Sequence, residues 1–256
     1  MAAPGAALAQ QPGTAPTPGA EPGTAPATSP PPAPQVPAPR PAPTAVTKLL
    51  SDERLLSRWA HPADNSYVYS RHSSRSRKVA RLRFFTEDGF PEVYLLLKQW
   101  TSATGREWVL LRVPKRPNGR TGWVQREALG GFNVVRHQLV VNRKTLQATL
   151  YKRGRKIWSA RVGIGAAGTP TPRGKFWIRE KFRFKNTPVY GTHALGTAAY
   201  APTLSDWPNG GVVGLHGTNQ PGLIPGRPSH GCVRIRNAQI ARLYRLIPLG
   251  TPLHIK

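Results

Sequence analysis

Short apolar segments separated by glycine, proline and polar residues characterise the first half of the folded part of the chain. Apolar and basic residues alternate over residues 79–84, which predicts a strand with one buried face. Residues 93–97 are continuously apolar, which predicts a strand buried on both faces. Further strands are predicted at residues 108–113 and 122–124, with a Pro-Asn-Gly turn between them. This pattern predicts a small β-barrel of about 70–80 residues. The tryptophans expected in its core are Trp59, Trp100 and Trp123.

A second group of apolar segments extends from residue 138 to the C-terminus. The segments typical of strands are residues 139–141, 145–151, 157–162, 175–178, 212–215 and 252–255. One further segment has helical periodicity, with apolar residues at positions i, i+3, i+4 and i+7. These residues are Ile240, Leu243, Tyr244 and Ile247, and Asn237 before them is predicted as the N-cap. The chain is therefore predicted to be mainly β, with one C-terminal helix.

The composition of the first 46 residues differs from that of the rest. They contain 14 of the 28 prolines and none of the seven tryptophans, and their only charged residues are Glu21 and Arg40. Such a stretch has too little apolar surface to offset the entropy lost on ordering. It is predicted to be a disordered tether, partly in polyproline II conformation. Ala7 and Ala9 form an A-x-A pattern like the end of a secretion signal, so export is expected.

Three regions follow from these patterns. Residues 1–47 are predicted to be the tether, residues 48–131 the small β-barrel, and residues 137–256 a second β-rich domain. No run of apolar residues approaches the roughly 20 needed to span a bilayer, so no transmembrane segment is predicted in this chain.

The charge balance is strongly basic. The formal net charge is +26, and 36 of the 37 lysines and arginines follow the tether. A field of this size favours polyanionic partners. The basic residues are scattered and accompany no recognised nucleic-acid-binding motif, so no nucleic acid is expected. Anionic cell-wall polymers fit the charge equally well. The alternative is that arginine is simply the surface charge of this protein.

The candidate chemistry centres on the only cysteine of the chain, Cys232. His216 precedes it by sixteen positions, at the end of a predicted strand, and the intervening loop is rich in glycine and proline. A free thiol near pKa 8.5 is mostly protonated at neutral pH, and a neighbouring imidazole can remove its proton. Cys232 is therefore a candidate nucleophile and His216 its candidate base. The carbonyl of Gly217 is a candidate to orient the imidazole.

Backbone N–H groups beside the cysteine could stabilise an oxyanion. Those of His230, Gly231 and Cys232 are the candidates, and glycine lets the backbone approach a substrate closely. The alternatives are an inert core thiol and a structural histidine. A zinc site from His193, His216, His230 and Cys232 is a third alternative, but these residues have no recognised zinc spacing. No metal or organic cofactor is predicted.

Two motifs resemble those of a known enzyme family. His-Gly-Thr-Asn at residues 216–219 and Ser-His-Gly-Cys-Val-Arg at residues 229–234 resemble the signature of the L,D-transpeptidase catalytic domain family, of the YkuD-like type. The similarity extends over residues 137–256 and includes the Gly-Thr-Pro-Thr-Pro-Arg-Gly-Lys-Phe stretch at residues 168–176. Residues 108–124 resemble bacterial SH3-like domains.

The resemblance implies a β-rich catalytic fold that cross-links peptidoglycan stem peptides. It implies that Cys232 is the nucleophile, that His216 is the base, and that Ser229, His230 and Gly231 form the oxyanion-hole segment. Arg234 is expected to bind a substrate carboxylate, with Arg227 as an alternative.

The expected activity is a 3→3 transpeptidation through a Cys232 thioester, in the cell wall or periplasm of a bacterium. The expected partners are peptidoglycan stem peptides and anionic cell-wall polymers. An L,D-carboxypeptidase that uses water as acceptor, and a non-catalytic basic wall-binding protein, are the alternatives.

Overall fold

The computed structural model describes residues 44–185, 189–204 and 211–256. In these residues the secondary structure is mainly β, and the one α-helix, α1 (Asn237–Leu246), lies near the C-terminus, which confirms the predicted fold class. The described residues form one compact unit that contains two sheets. The predicted tether lies outside the described residues up to residue 43. The described residues contain no helix with the length and hydropathy required to cross a membrane.

The first sheet is antiparallel and contains eight strands. They are β1 (Val46–Leu49), β2 (Ser57–Ala60), β3 (Tyr67–Tyr69), β4 (Lys78–Arg81), β5 (Tyr94–Thr101), β6 (Glu107–Arg112), β7 (Thr121–Gln125) and β8 (Asn133–Val135). The strand order is β4-β3-β7-β6-β5-β2-β8, and β1 pairs with β5. The SH3-like classification of this sheet, and the division of the chain into domains, stay predictions.

The second sheet contains nine strands. They are β9 (His137–Asn142), β10 (Gln147–Lys152), β11 (Arg155–Gly165), β12 (Gly174–Arg183), β13 (His193–Tyr200), β14 (Val212–His216), β15 (Gly226–Ser229), β16 (Val233–Ile235) and β17 (Pro252–Ile255). The order is β10-β9-β17-β12-β13-β14-β16-β11-β15. Because β10 also pairs with β11, the first eight strands of this path close into a barrel and β15 extends from it.

The helix α1 closes the hydrophobic core of the barrel. Ile240 and Leu243 of α1, and Ile247 after it, are fully buried against the strands. These are three of the four apolar residues whose spacing predicted the helix, and Tyr244 packs on the edge of the same core. The helical periodicity therefore describes the buried stripe of α1.

The start of β5 is buried on both faces, as its continuous apolar sequence predicted. Tyr94 and Leu96 pack in the core of the first sheet, whereas Val93 and Leu95 pack against Trp177 of the barrel. All four residues from Val93 to Leu96 are 0–1% exposed. Side chains alternate between the two faces of a strand, so β5 contributes to two cores at once.

Two predictions about this region were wrong. The strand β1 begins at Val46, inside the predicted tether, because its backbone pairs with residues 98–101 of β5. The three tryptophans expected in the core are half-buried. The Trp100 ring stacks on His72 at 4.0 Å between centroids, and Trp123 meets the same imidazole edge-on. Trp100 and Trp123 thus cover one histidine at the surface instead of filling the barrel, whereas Trp59 packs against the buried cluster that contains Trp177.

Candidate active site

The catalytic cysteine candidate lies beside the strand that ends in the histidine candidate. The neighbouring strands β14 and β16 are parallel, with Leu215 opposite Val233 and His216 opposite Arg234. This register places Cys232, the residue before β16, next to Gly214. The Gly214 N–H donates a hydrogen bond to Cys232 Sγ at 3.4 Å. Strand pairing thus brings together two residues that are sixteen positions apart in the sequence.

Two cavities meet at these two residues. The first has a volume of about 270 Å³ and is lined by Ser229, His230 and Arg234 as well as by His216 and Cys232. The second has a volume of about 250 Å³ and extends from the same pair toward β12 and β13. A substrate can therefore approach the thiol from two directions. The set of polar groups differs between the two cavities, because the first holds an arginine and the second holds carboxyl groups.

The imidazole of His216 is held in one tautomer. Its Nδ1 lies 2.6 Å from the carbonyl oxygen of Gly217. A carbonyl oxygen only accepts hydrogen bonds, so Nδ1 carries the proton and Nε2 keeps its lone pair. The ring is 5% exposed and meets the Tyr190 ring edge-on, with 4.8 Å between centroids. Nε2 is thus the basic atom of this site.

The helix α1 holds the segment that follows His216. The Asn237 Oδ1 accepts a hydrogen bond from the Thr218 N–H at 2.8 Å. A Cβ added at Gly217 would lie 2.3 Å from the same oxygen, which explains the glycine at this position. The prediction that Asn237 is the N-cap was wrong, because α1 begins at Asn237 and Arg236 is the N-cap. The Asn237 side chain supports the histidine loop instead.

The loop before Cys232 is fixed by two hydroxyl groups. The Ser229 hydroxyl donates to the Cys232 carbonyl at 2.6 Å and accepts from the Gly231 N–H at 3.2 Å. The buried Thr171 hydroxyl donates to the Gly231 carbonyl at 2.6 Å. Gly231 has φ of 127°, which favours glycine. Its N–H, one of the three candidate oxyanion donors, donates to the Ser229 hydroxyl in this structure.

Sequence reasoning assigned no role to Thr171 or Asn237 in the site. The only sequence signal for Thr171 was its place in the Thr-Pro-Thr-Pro stretch that resembles the family. Thr171 bonds to a residue 60 positions later in the chain, and Asn237 bonds to a residue 19 positions earlier. Only the folded structure reveals such contacts.

The two arginines considered as carboxylate ligands lie in different places. Arg234 lines the first cavity, and its Nη1 donates to Gln220 Oε1 at 2.9 Å. Arg227 is exposed, and its Nη2 lies 3.4 Å from the Arg143 carbonyl. Arg234 is therefore the arginine that faces the thiol.

The zinc alternative has no counterpart in the described part of the chain. Across residues 44–185, 189–204 and 211–256, no three histidine, cysteine, aspartate or glutamate side chains are grouped so that they could hold a metal ion. The His193 ring packs against Tyr244 instead, with 4.7 Å between centroids.

Burial keeps both reacting groups neutral in this state. Burial raises the pKa of the Cys232 thiol, although the Gly214 N–H and the charge of Arg234 act in the opposite direction. Burial also lowers the pKa of His216 to about 4, and Arg234 contributes to this shift. At neutral pH the site therefore contains a thiol beside a neutral imidazole, and not a thiolate–imidazolium pair.

Alkylation of Cys232 by iodoacetamide tests this protonation state. We expect the rate at pH 7 to be lower than that of free cysteine, because the thiolate is the reactive species and its fraction is small. The rate should still increase at pH values where free cysteine has levelled off. Free cysteine in the same buffer is the control, and the rate is measured by intact-protein mass spectrometry. A rapid reaction that is constant between pH 5 and 7 would contradict the neutral pair.

The chain matches a known family over the barrel. Residues 136–255 match the family model of the L,D-transpeptidase catalytic domain, YkuD. This part of the chain, 120 of the 256 residues, therefore matches the L,D-transpeptidase catalytic domain family, as the resemblance of its motifs indicated.

Individual relatives carry the same family name. The chain is 32% identical over 115 residues to the "Putative L,D-transpeptidase YkuD" of Bacillus licheniformis, a match that covers 45% of this chain and 61% of the relative. It is 31% identical over 141 residues to the "Probable L,D-transpeptidase ErfK/SrfK" of Salmonella typhimurium, covering 48% and 45% of the two chains. The matches thus span about half of the length of these relatives. A solved L,D-transpeptidase from Mycobacterium smegmatis aligns with 84% of this chain and 92% of its own at 17% identity, with a TM-score of 0.39.

Proposed function

We propose that the barrel is an L,D-transpeptidase that forms 3→3 cross-links between peptidoglycan stem peptides through a thioester on Cys232. The observation that carries this proposal is the placement of the thiol and of a neutral imidazole with a free Nε2 at the meeting point of two cavities. The two cavities together can then hold the acyl donor and admit a second substrate to the thioester. The family whose model residues 136–255 match supports the same chemistry.

In the acylation step, Cys232 Sγ attacks the carbonyl carbon of the residue before the terminal D-alanine of a tetrapeptide stem. The Nε2 of His216 takes the thiol proton as the S–C bond forms. When the tetrahedral intermediate collapses, the C–N bond breaks and the imidazolium transfers this proton to the leaving amine. D-Alanine departs, and the tripeptide stem remains as a thioester.

The oxyanion of this intermediate requires hydrogen-bond donors. We place the N–H groups of His230 and Cys232 in this role, with the hydroxyl of Ser229 holding the segment through the Gly231 N–H and the Cys232 carbonyl. Arg234 lines the same cavity and is proposed to bind a carboxylate of the stem peptide.

In the second step, the side-chain amine of a diamino acid on a neighbouring stem attacks the thioester carbonyl. His216, neutral again, accepts a proton from this amine. The C–S bond breaks, the thiol recovers a proton from the imidazolium, and an amide joins the two stems. Peptidoglycan lies outside the cytoplasm, so we place the protein in the cell wall or periplasm, where its charge of +26 favours contact with anionic wall polymers.

Product analysis tests this proposal. The protein is incubated with a disaccharide-tetrapeptide, which carries both a donor and an acceptor group, and the products are separated and weighed by mass spectrometry. We expect D-alanine and a dimer whose mass equals two donors minus one D-alanine. A tripeptide stem without dimer would instead indicate an L,D-carboxypeptidase. Folded protein that releases no D-alanine would indicate a wall-binding protein without this activity.

A further inference from the structure

The second cavity follows a row of residues across one face of the barrel. Glu180 of β12 is opposite Gly196 of β13, and Gly196 is opposite Gly214 of β14. Gly214 in turn contacts the Cys232 thiol through its N–H. Opposite residues on neighbouring strands place their side chains on the same face of a sheet. The Glu180 carboxyl group and the Cys232 thiol therefore lie at the two ends of a short stretch of sheet surface that carries only the two glycines. We call these four residues the glycine trough.

Aromatic rings form one wall of the glycine trough. Phe182 and Phe184 follow Glu180 at alternate positions and line the same cavity. Their rings stack with 5.8 Å between centroids, and Tyr190 continues the wall at 6.5 Å from Phe184. The cavity is thus an apolar passage that starts at the thiol and ends at a carboxyl group.

The carboxyl group at the far end is buried and incompletely hydrogen-bonded. Glu180 is 2% exposed, and its Oε2 has no hydrogen-bond partner among the described residues. A Cβ added at Gly196 would lie 2.2 Å from this oxygen, so Oε2 leans over the floor of the trough. A buried acceptor without a donor is costly to maintain. An oxygen in this position is suited to a donor that enters through the cavity.

The surrounding charges favour a cationic donor. Two other acidic residues nearby already have cationic partners: Glu87 and Glu92, which precede β5, are ion-paired with Arg83 and Arg179. Glu180, by contrast, takes part in no salt bridge of the described residues. Burial raises the pKa of Glu180 to about 7, and the neighbouring Asp88 carboxyl contributes to this shift, whereas the Thr86 hydroxyl and the charge of Arg179 act in the opposite direction. Asp88 also lines the cavity. Two acidic groups therefore meet at one end of a cavity in a chain whose net charge is +26.

We propose that the glycine trough binds a primary ammonium group on the side chain of the donor residue whose carbonyl Cys232 attacks, with the Glu180 carboxylate accepting its hydrogen bonds. This inference rests on the proposed function, since it assumes that Cys232 is acylated by a peptide. It assigns to Glu180 the selection of donors that carry an amine at this residue.

The dimensions of the trough suit such a side chain. Sγ lies against Gly214 and Oε2 against Gly196, so the two ends are separated mainly by the spacing of neighbouring strands, roughly 5 Å. A flexible stem of four carbons with a terminal ammonium group, like that of lysine, spans this distance along the aromatic wall. Any side chain at Gly196 or Gly214 would obstruct the path. The first cavity, with Arg234, remains for the anionic parts of the substrate.

Two peptides that differ only in the ammonium group test the proposal. One is a tetrapeptide that ends in L-lysine and D-alanine, and the other has norleucine in place of lysine. Binding is measured by calorimetry on the Cys232→Ala protein, with and without Glu180→Gln. Release of D-alanine is measured separately on proteins that retain the cysteine. The control is Glu127→Gln, which removes the same charge at an exposed position.

We expect the Cys232→Ala protein to bind the lysine peptide about tenfold more tightly than the norleucine peptide, as charge-assisted hydrogen bonds allow. Glu180→Gln should remove this preference by weakening the lysine peptide alone, and Glu127→Gln should change neither affinity. In turnover, the effect of Glu180→Gln should appear as a higher KM for the lysine peptide. Equal binding of the two peptides, or an equal loss for both in Glu180→Gln, would overturn the proposal.

The two proposals can fail separately in this experiment. Selective binding without D-alanine release would contradict the proposed function and support the ammonium site. D-Alanine release without selective binding would do the reverse. The melting temperature adds a further readout: above pH 7, Glu180→Gln should raise it, because the variant removes a carboxylate whose ionisation opposes folding. A lower melting temperature would show that the carboxylate serves packing and would overturn the assignment.

Discussion

Replacing Cys232 with alanine is expected to abolish the acyl-enzyme. After incubation with a disaccharide-tetrapeptide, intact-protein mass spectrometry should show an adduct of the donor minus D-alanine on the unmodified chain and none on Cys232→Ala. The rate of D-alanine release should fall by at least about 10⁴-fold, because the variant lacks the proposed nucleophile. Cys232 is the only cysteine, so a second thiol cannot compensate.

The loss of activity in Cys232→Ala should come from the missing thiol and not from unfolding of the protein. The thiol is half-buried and makes one hydrogen bond, from the Gly214 N–H, so its removal leaves only a small space. We expect a destabilisation of about 1 kcal/mol and an unchanged circular dichroism spectrum. The matched control is Ser159→Ala on β11 of the same barrel, which removes one heavy atom outside both cavities. An adduct of the same mass on Cys232→Ala would show that another residue carries the acyl group.

Replacing Arg179 with methionine is expected to lower the free energy of unfolding by about 3–5 kcal/mol, because it leaves two buried carboxylates with only the half-buried Arg83 as an ion-pair partner. Arg179 of β12 is 1% exposed and extends from the barrel to the segment before β5. Its Nε donates to Glu92 Oε1 at 2.8 Å, and its Nη2 contacts Glu87 Oε2 at 3.0 Å. Glu92 is completely buried. The loss would be a large part of the stability of an ordinary domain.

The same network explains the acidity of Glu87. Burial alone would raise its pKa, but the charge of Arg179 and the hydroxyl of Tyr200 hold it at about 2. Its folded pKa lies below the value of about 4.5 in the unfolded chain. Ionisation of Glu87 therefore stabilises the protein above pH 4.5, and this contribution is lost as the pH falls toward 2.

Urea unfolding at pH 7 measures the effect of Arg179→Met. Arg155→Met, at an exposed position of β11, is the matched control and should change the free energy of unfolding by less than about 0.5 kcal/mol. A double-mutant cycle with Glu92→Gln should give a coupling energy of about 2 kcal/mol between the two side chains. A loss of less than 1 kcal/mol in Arg179→Met would show that the network does not stabilise the contact between the sheets.

The apolar pattern located many elements and missed a distinct group of them. The strand β17 has the predicted bounds, and α1 begins three residues before Ile240, the first residue of its apolar periodicity. The strand β13 was not predicted, because His193–Tyr200 is rich in alanine, glycine and threonine and shows no alternation. Its small residues are buried between other strands, so their position depends on neighbours that the segment itself does not specify. The strands β15 and β16, which flank Cys232, are too short to show a pattern.

The candidate nucleophile and base could be proposed from the sequence because their signals are local. Cys232 is the only thiol, and the segments around it and around His216 resemble family motifs that need no knowledge of the fold. The Gly217 carbonyl was considered as the partner of His216 for the same reason, since the two residues are adjacent. By contrast, Asn237 was interpreted from its position before a helix, whereas its side chain is used by a loop 19 residues earlier in the chain.

The sequence by itself determined the class of fold, the family that the barrel matches, and the nucleophile and base that we propose. Only the tertiary structure decided the protonation of the reacting pair, the ion pairs of Arg179 and the glycine trough. Protonation depends on burial, and burial is a property of the assembled sheet. Glu180, Gly196, Gly214 and Cys232 are spread over more than 50 positions. They lie in one row because β12, β13 and β14 pair in a particular register and because Cys232 directly precedes β16, which no local pattern encodes.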